Sequence, residues 1–465
     1  MARQTSSRPL RPRSPFLAWP PFFARPPFSV AGMIHGLEVS QRDPPAMLGE
    51  GRWTQLRLLL EWAVQCVPYY AGNSAYAEVL ARVRRAPDTF AEEWRRMPVL
   101  TKAQLRSWGP ALNAGDLPAG HDPIAQTSTS GSTGISVKVG TTSLTRAIWN
   151  AMTLREHLWR RRNFAKRLGV TRYLAPEKRK PGGVDVSNWG SPVAELYATG
   201  PASVIHIGYP VSELAAWLQR FAPHYLLTYP SVAASLLDEL RDARPLALEE
   251  VCTMSEPLDP DLEERLKRRW GVLCTDIYSA NEVGYVAFRC AEEDRLHVQA
   301  ESLHVEVLDE AGRECPPGAS GRVVITPLHN LRTPLLRYEI GDYAIPGGPC
   351  PCGRTLPVLE RVCGRVRNLV QTPEGRQFWP VSLSGVQSLS AIRQAQYVQT
   401  ALDRIELRVV VDRPLTAQEQ LKAVERARAA LGYPFEVDVT TVDEIERGPT
   451  GKFEEFLSLL PQGRG

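Results

Sequence analysis

The chain has 465 residues, and no stretch of about 18 of them is free of charges and prolines, which a bilayer-crossing helix requires. No membrane-spanning helix is expected. Cysteine is sparse: Cys66, Cys252, Cys274, Cys290, Cys315, Cys350, Cys352 and Cys363 are scattered without the dense spacing of a secreted disulfide framework. A reducing cytoplasm is the expected compartment. Neither sign of charge dominates, with 55 Lys and Arg against 51 Asp and Glu. Acids are missing altogether from residues 1–37, which hold Arg3, Arg8, Arg11, Arg13 and Arg25, so the remainder is almost neutral. That excludes a broad nucleic-acid footprint. The leader SRPLRPRSPFLAWPPFFARPPF lacks the unbroken apolar core of a secretory signal, and its prolines oppose the amphipathic helix of a transit peptide. The expectation is a disordered basic extension over 1–37, or a start codon set upstream of a true initiator at Met33. No internal repeat is present. What remains, at 43% hydrophobic and 23% charged, is ordinary globular protein.

The segment WTQLRLLLEWAVQCVPYYAG carries apolar residues at helical spacing and stops at Pro68. Residues 73–118 read as mainly helical, with a break at MPVLTKAQLR where Thr101 is placed to cap the next helix. The stretch 144–168 reads as a basic helix. Over 203–241, SVIHIG, ELAAWLQRF, YLLTYP and SVAASLLDEL alternate strand and helix, the pattern of a βαβ layer. LHVEVLD, GRVVITPL and LLRYEIGD read as strands between Gly and Pro turns. Past Gly364 the character changes: RIELRVVVD and PFEVDVTTV are strands around the helix TAQEQLKAVERARAAL. The expected organisation is a leader (1–37), a large α/β domain of sheets flanked by helices (38–364) and a small mobile α+β lid (365–465).

Chemistry concentrates in five islands. TSTSGSTG at 127–134 offers small residues, hydroxyls and two glycines, which allow backbone N–H groups to converge on a phosphate. It is no Walker A loop, and a Gly/Ser linker has the same composition. TDIYSANEVGY places Tyr278 four residues before Glu282. RYEIGDY sets Asp342 after a glycine, ERVCGRVRNLV carries Arg365 at the domain boundary, and ERGPTGKFEEF puts Lys452 on a Gly-bearing loop. Each alone is commonly a solvated surface group.

In this order the islands resemble the adenylate-forming (acyl-AMP) ligases, in particular the branch of phenylacetate–CoA ligases, capsular-polysaccharide CapK proteins and coenzyme F390 synthetases. The resemblance covers about residues 55–460 and extends to YYAG, MPVLTKAQL and TYPSVAASLLDEL. It implies activation of a carboxylic acid, aryl or arylacetic, by ATP, and then transfer to CoA as a thioester. It implies that Ser130, Gly131, Ser132, Thr133 and Gly134 hold the departing phosphates and that Tyr278 stacks on adenine. Glu282 would bind Mg²⁺, a hard cation that favours carboxylate oxygen. Asp342 would take the ribose hydroxyls, and Arg365 would approach from the hinge. Lys452 would reach in from the lid to the charge that develops at the α-phosphate. Partners are then a small carboxylic acid and CoA or another acyl acceptor, without nucleic acid or membrane; a homodimer is compatible with this.

Three departures bear on the outcome. Relatives carry an acid where Arg367 stands, glycines where Met254 and Ser255 stand, and a glycine where Ser279 follows the aromatic. Arg367 sits at the pivot about which the lid turns before thiol attack. Transfer to an amine or a carrier thiol therefore stays open, as does a nucleotide-binding relative without turnover. Separately, Cys290 and His297 in C-x₆-H spacing, with Cys350 and Cys352 in GPCPCGR, could supply four ligands to a structural Zn²⁺; the alternative is unconnected thiols and a surface histidine.

Overall fold

A computed structural model describes residues 28–460, apart from 123–124, 130–136, 242, 246, 381, 384 and 449–450. The first long helix, Pro45–Cys66, buries Leu56, Leu59, Leu60 and Ala63, the spacing of one helical face. Thr101 caps the helix Lys102–Trp108 as expected, in a reciprocal box with Gln104. Residues 30–37 correct the expected leader: they belong to the helix Val30–Ser40. Its polar-poor sequence, with two glycines and β-branched residues, gives weak intrinsic propensity, and tertiary burial of Met33, Ile34 and Leu37 overrides it. Ser29 caps this helix, and the buried Arg155 donates to the Leu37 carbonyl at 2.9 Å. Residues 1–27 lie outside the described residues. The expected helix over 144–168 ends early, at Trp159: Arg161 adopts a φ of +50°, and the chain turns into the strand Leu168–Arg172.

The body is organised on one twelve-stranded sheet. Five of its strands are parallel and lie side by side in the order Leu273–Ala280, Glu250–Met254, Tyr225–Thr228, Leu168–Arg172 and Ala202–His206. Helices Val211–Phe221, Pro230–Glu239 and Pro260–Trp270 connect them, and their apolar faces share a core with the strands through Trp217, Leu236, Val251 and Leu266. Val184–Val186 pairs antiparallel with Ala202–His206 at one edge, and beyond Leu273–Ala280 the sheet continues antiparallel through Gly284–Arg289, Leu296–Val298, Val358–Arg365, Tyr338–Pro346, Gly321–Pro327 and Leu303–Leu308. The switch from parallel to antiparallel therefore falls beside the strand that carries Tyr278. Ligand crevices form outside the carboxyl ends of parallel strands, and Tyr278 lies toward that end of Leu273–Ala280.

The C-terminal part has a four-stranded sheet in the order Glu436–Thr441, Arg404–Val411, Ile392–Ala401, Phe456–Ser458, with the helix Ala417–Leu431 against it. Tyr397, Leu407, Ala427 and Phe456 belong to a core separate from those of the body. It is thus a second folding unit with its own apolar interior. Among the described residues no helix is long and apolar enough to cross a membrane.

Candidate active site

The strand Leu273–Ala280 brings Tyr278 to the crevice, and the turn after it brings Glu282. The two hairpin strands Tyr338–Pro346 and Val358–Arg365 place Asp342 directly opposite Arg365. Tyr278 Oη donates to Asp342 Oδ2 at 2.9 Å, and Arg365 Nε donates to Oδ1 at 3.3 Å. One carboxylate thus braces an aromatic ring and a guanidinium. Burial first, and the Asp342 charge second, push the Tyr278 hydroxyl well above its ordinary range. Glu282 is buried and faces Lys102 Nζ at 3.5 Å, on the first residue of the helix that Thr101 caps.

Lys452 comes from the lid. Its loop is tightened by Gly448 N–H donating to the Lys452 carbonyl at 2.9 Å and by Gly451 at a φ of +77°. A side chain at Gly451 would stand 2.7 Å from Ile207 Cγ2, so glycine is needed both for the conformation and for the close approach to the body. Burial, and then the Arg365 charge, lower the Lys452 ammonium from its ordinary value; Asp342, Glu256 and Glu282 act the other way. The groups that act on this lid lysine thus all belong to the crevice, Arg365 from its hinge edge.

Tyr278, Glu282, Asp342, Arg365 and Lys452 line one cavity of about 1220 Å³. Among the described residues no histidine lines it, and no Ser–His or Cys–His pair is assembled there. It sets cations, Lys102, Arg365 and Lys452 among them, beside carboxylates and a braced aromatic, an arrangement for positioning an anionic ligand. The segment Ser130, Gly131, Ser132, Thr133, Gly134 lies outside the described residues. The strands on either side of it, Ala125–Thr129 and Val137–Thr141, pair antiparallel.

The departures have structural counterparts. Met254, Ser255 and Ser279 line the cavity. Ser255 holds a φ of +76°, a region where glycine is at ease and serine is strained. Arg367 is ion-paired with Glu454 of the lid, and burial, with Arg365 nearby, lowers its guanidinium to about 10. Asn368 Nδ2 donates to the Phe456 carbonyl at 2.6 Å, which ties this stretch to the segment that follows Lys452.

Sequence reasoning passed over several groups. Lys102 lay inside MPVLTKAQL and Glu256 inside the Met-Ser-Glu-Pro-Leu run. Glu455, close behind Lys452, is pushed up to about 8 by burial and by Asp259. Arg447 donates to Ser231 Oγ at 2.8 Å across the two folding units.

Away from this cavity, Cys290, His297, Cys350 and Cys352 come together with their ligand atoms all within 4.8 Å of one another. The Sγ atoms of Cys290 and Cys350 are 3.9 Å apart, and Cys352 Sγ is 3.3 Å from His297 Nε2. The cluster joins the turn after Gly284–Arg289 to the loop before Val358–Arg365.

A 2-hydroxyisobutyryl-CoA ligase in its postadenylation state superposes with a TM-score of 0.70 at 20% identity, covering 90% of each chain. The CapK C-terminal domain family matches residues 370–457. The fold is that of the adenylate-forming ligases. In its thioesterification state the 2-hydroxyisobutyryl-CoA ligase superposes at a TM-score of only 0.54, with 21% identity over 90% of this chain and 91% of that one. An anthranilate–CoA ligase with bound anthranoyl-AMP matches at a TM-score of 0.52, 16% identity, over 73% of this chain and 67% of that one. No curated protein matches in sequence.

Proposed function

We propose that this chain activates a carboxylic acid, aryl or arylacetic, with ATP and transfers the acyl group to CoA. The carboxylate oxygen attacks the α-phosphorus, the bond to the β-phosphate oxygen breaks, and pyrophosphate leaves. The observation that supports this reading best is the delivery of the lid residue Lys452 into the same buried cavity as Tyr278, Glu282, Asp342 and Arg365. Catalysis is then positioning and charge compensation, without an enzyme nucleophile.

Asp342 has acceptor capacity for ribose: a carboxylate offers about four lone-pair sites, and the two hydrogen bonds from Tyr278 and Arg365 leave the others for hydroxyls. Tyr278, held by its hydroxyl, keeps a ring face for adenine. Ser130 to Gly134 would hold the β- and γ-phosphates. Glu282 suits Mg²⁺, which would neutralise phosphate charge when bound. Lys452 and Arg365 then offset the charge that grows on the α-phosphate.

The four-residue cluster fits a structural Zn²⁺. Two sulfurs each 2.3 Å from a tetrahedral zinc stand roughly 3.8 Å apart, and Cys290 and Cys350 are at 3.9 Å. With four ligands and no open position, the site would clip two loops together and do no chemistry.

A second reading rests on Arg367. With a cation tied to Glu454 at the pivot, the acceptor is an amine or carrier thiol, or turnover is lost. Hydroxylamine trapping with a mixed acid pool, with and without CoA, separates these. Aryl hydroxamates that give way to thioester when CoA is added support the first reading. Hydroxamates indifferent to CoA support the second, and no hydroxamate at all contradicts both transfer schemes.

A further inference from the structure

Glu256 is the side chain through which the body holds the lid loop. Its Oε2 accepts Ser231 N–H at 3.0 Å, at the start of the body helix Pro230–Glu239. Its Oε1 accepts Phe453 N–H at 2.6 Å, and Phe453 is the residue next to Lys452. One oxygen serves each folding unit. Arg447 of the lid stands 3.8 Å from Oε1 and donates both to Ser231 Oγ at 2.8 Å and to the Gly451 carbonyl at 3.0 Å. The same guanidinium lies 5.8 Å from the centre of the Phe453 ring. The carboxylate is enclosed, so a lid that turned away would cost it a charge-assisted hydrogen bond and its nearest cation.

We infer that Glu256 is a positioning residue for Lys452: it docks the Phe453 amide and, with Arg447, sets the lid in the orientation that serves the adenylating step and not the transfer step. This rests on the adenylation reading above, and its direct test does not need turnover. Glu256 lines the cavity and its charge favours the Lys452 ammonium, but its hydrogen bonds go to Ser231 and Phe453, so it positions Lys452 through the loop. The amide of glutamine keeps one acceptor oxygen where the carboxylate has two. Glu256→Gln therefore leaves either Ser231 or Phe453 without its acceptor, and in both orientations the charge that strengthens the Phe453 bond is gone.

Hydrogen–deuterium exchange on the full chain reads this directly. In Glu256→Gln, peptides spanning 451–456 are expected to exchange roughly tenfold to a hundredfold faster, the loss of one charge-assisted hydrogen bond. The lid strands Ile392–Ala401 and Arg404–Val411 should keep wild-type rates. Arg447→Met should give the same local pattern, and the double variant should add little. Unchanged exchange at 451–456 overturns the inference, as does a rise spread over both cores, which would mark general destabilisation. In the half-reactions, Glu256→Gln should lower adenylate formation while transfer from supplied acyl-adenylate is kept; equal loss of both overturns it. If the wild-type chain adenylates no acid, the proposed function fails while the exchange pattern still decides the role of Glu256.

Discussion

Lys452→Ala separates the two halves of the proposed reaction most sharply. The ammonium sits in a cavity with Asp342, Glu256 and Glu282, and Arg365 is the cation whose charge opposes it there. Removing one preorganised group aimed at developing transition-state charge costs about 2.7–4 kcal/mol, or 10²–10³ in rate. Adenylate formation should fall by that factor. Transfer from supplied acyl-adenylate to CoA should stay near the wild-type rate, because Lys452 acts on a step already passed. Folding should not suffer: burial lowers the Lys452 pKa, so below its ordinary value the folded chain carries a penalty for the charge, which fades as pH rises toward that value. The variant should therefore melt at or above the wild-type temperature at neutral pH. Pre-steady-state pyrophosphate release and thioester formation measure the two halves. Equal loss in both, or full retention of adenylation, refutes the assignment.

Other outcomes follow from the same geometry. Purified protein should carry one zinc ion per chain by elemental analysis, and Cys350→Ser with Cys352→Ser should lose it and lower the melting temperature more than the adenylation rate; full zinc-free stability of the wild type would contradict the clip. Glu455 keeps its proton in the docked lid to about pH 8, against an ordinary value of 4.5. Lid docking should weaken as pH rises through that window and be flat below it, and Glu455→Gln should flatten the profile of loop exchange; an unaltered pH profile would count against it. Gly364, at a φ of +110° just before Arg365, should lose roughly 1–2 kcal/mol when replaced by alanine and should loosen the Arg365–Asp342 pair, read as lower adenylation in both thermal and kinetic assays.

The fold was largely legible because hydrophobic periodicity and turn residues mark strands and helices locally. The helix Ala417–Leu431 and the strand Arg404–Val411 lie almost where the spacing placed them. The helix Val30–Ser40 was not legible, because its stability comes from burial against distant parts of the chain such as Arg155. Spacing brought Tyr278, Glu282, Asp342, Arg365 and Lys452 forward as separate islands, and the structure supplies their meeting place. Glu256 and Arg447 escaped notice for a physical reason. Their work is at the contact between two folding units, about two hundred residues apart, and no local pattern encodes which faces will meet. Arg367, a departure by resemblance alone, gains a partner in Glu454 that only the fold shows.

The central claim is that this cavity joins a carboxylate to AMP. ATP–pyrophosphate exchange by the full chain, with Mg²⁺ and a panel of aromatic, arylacetic and short aliphatic acids, tests it most directly. Acid-dependent exchange that is lost in Lys452→Ala is the predicted result. Well-folded protein that exchanges label with no acid, or that exchanges equally with and without Lys452, would contradict it.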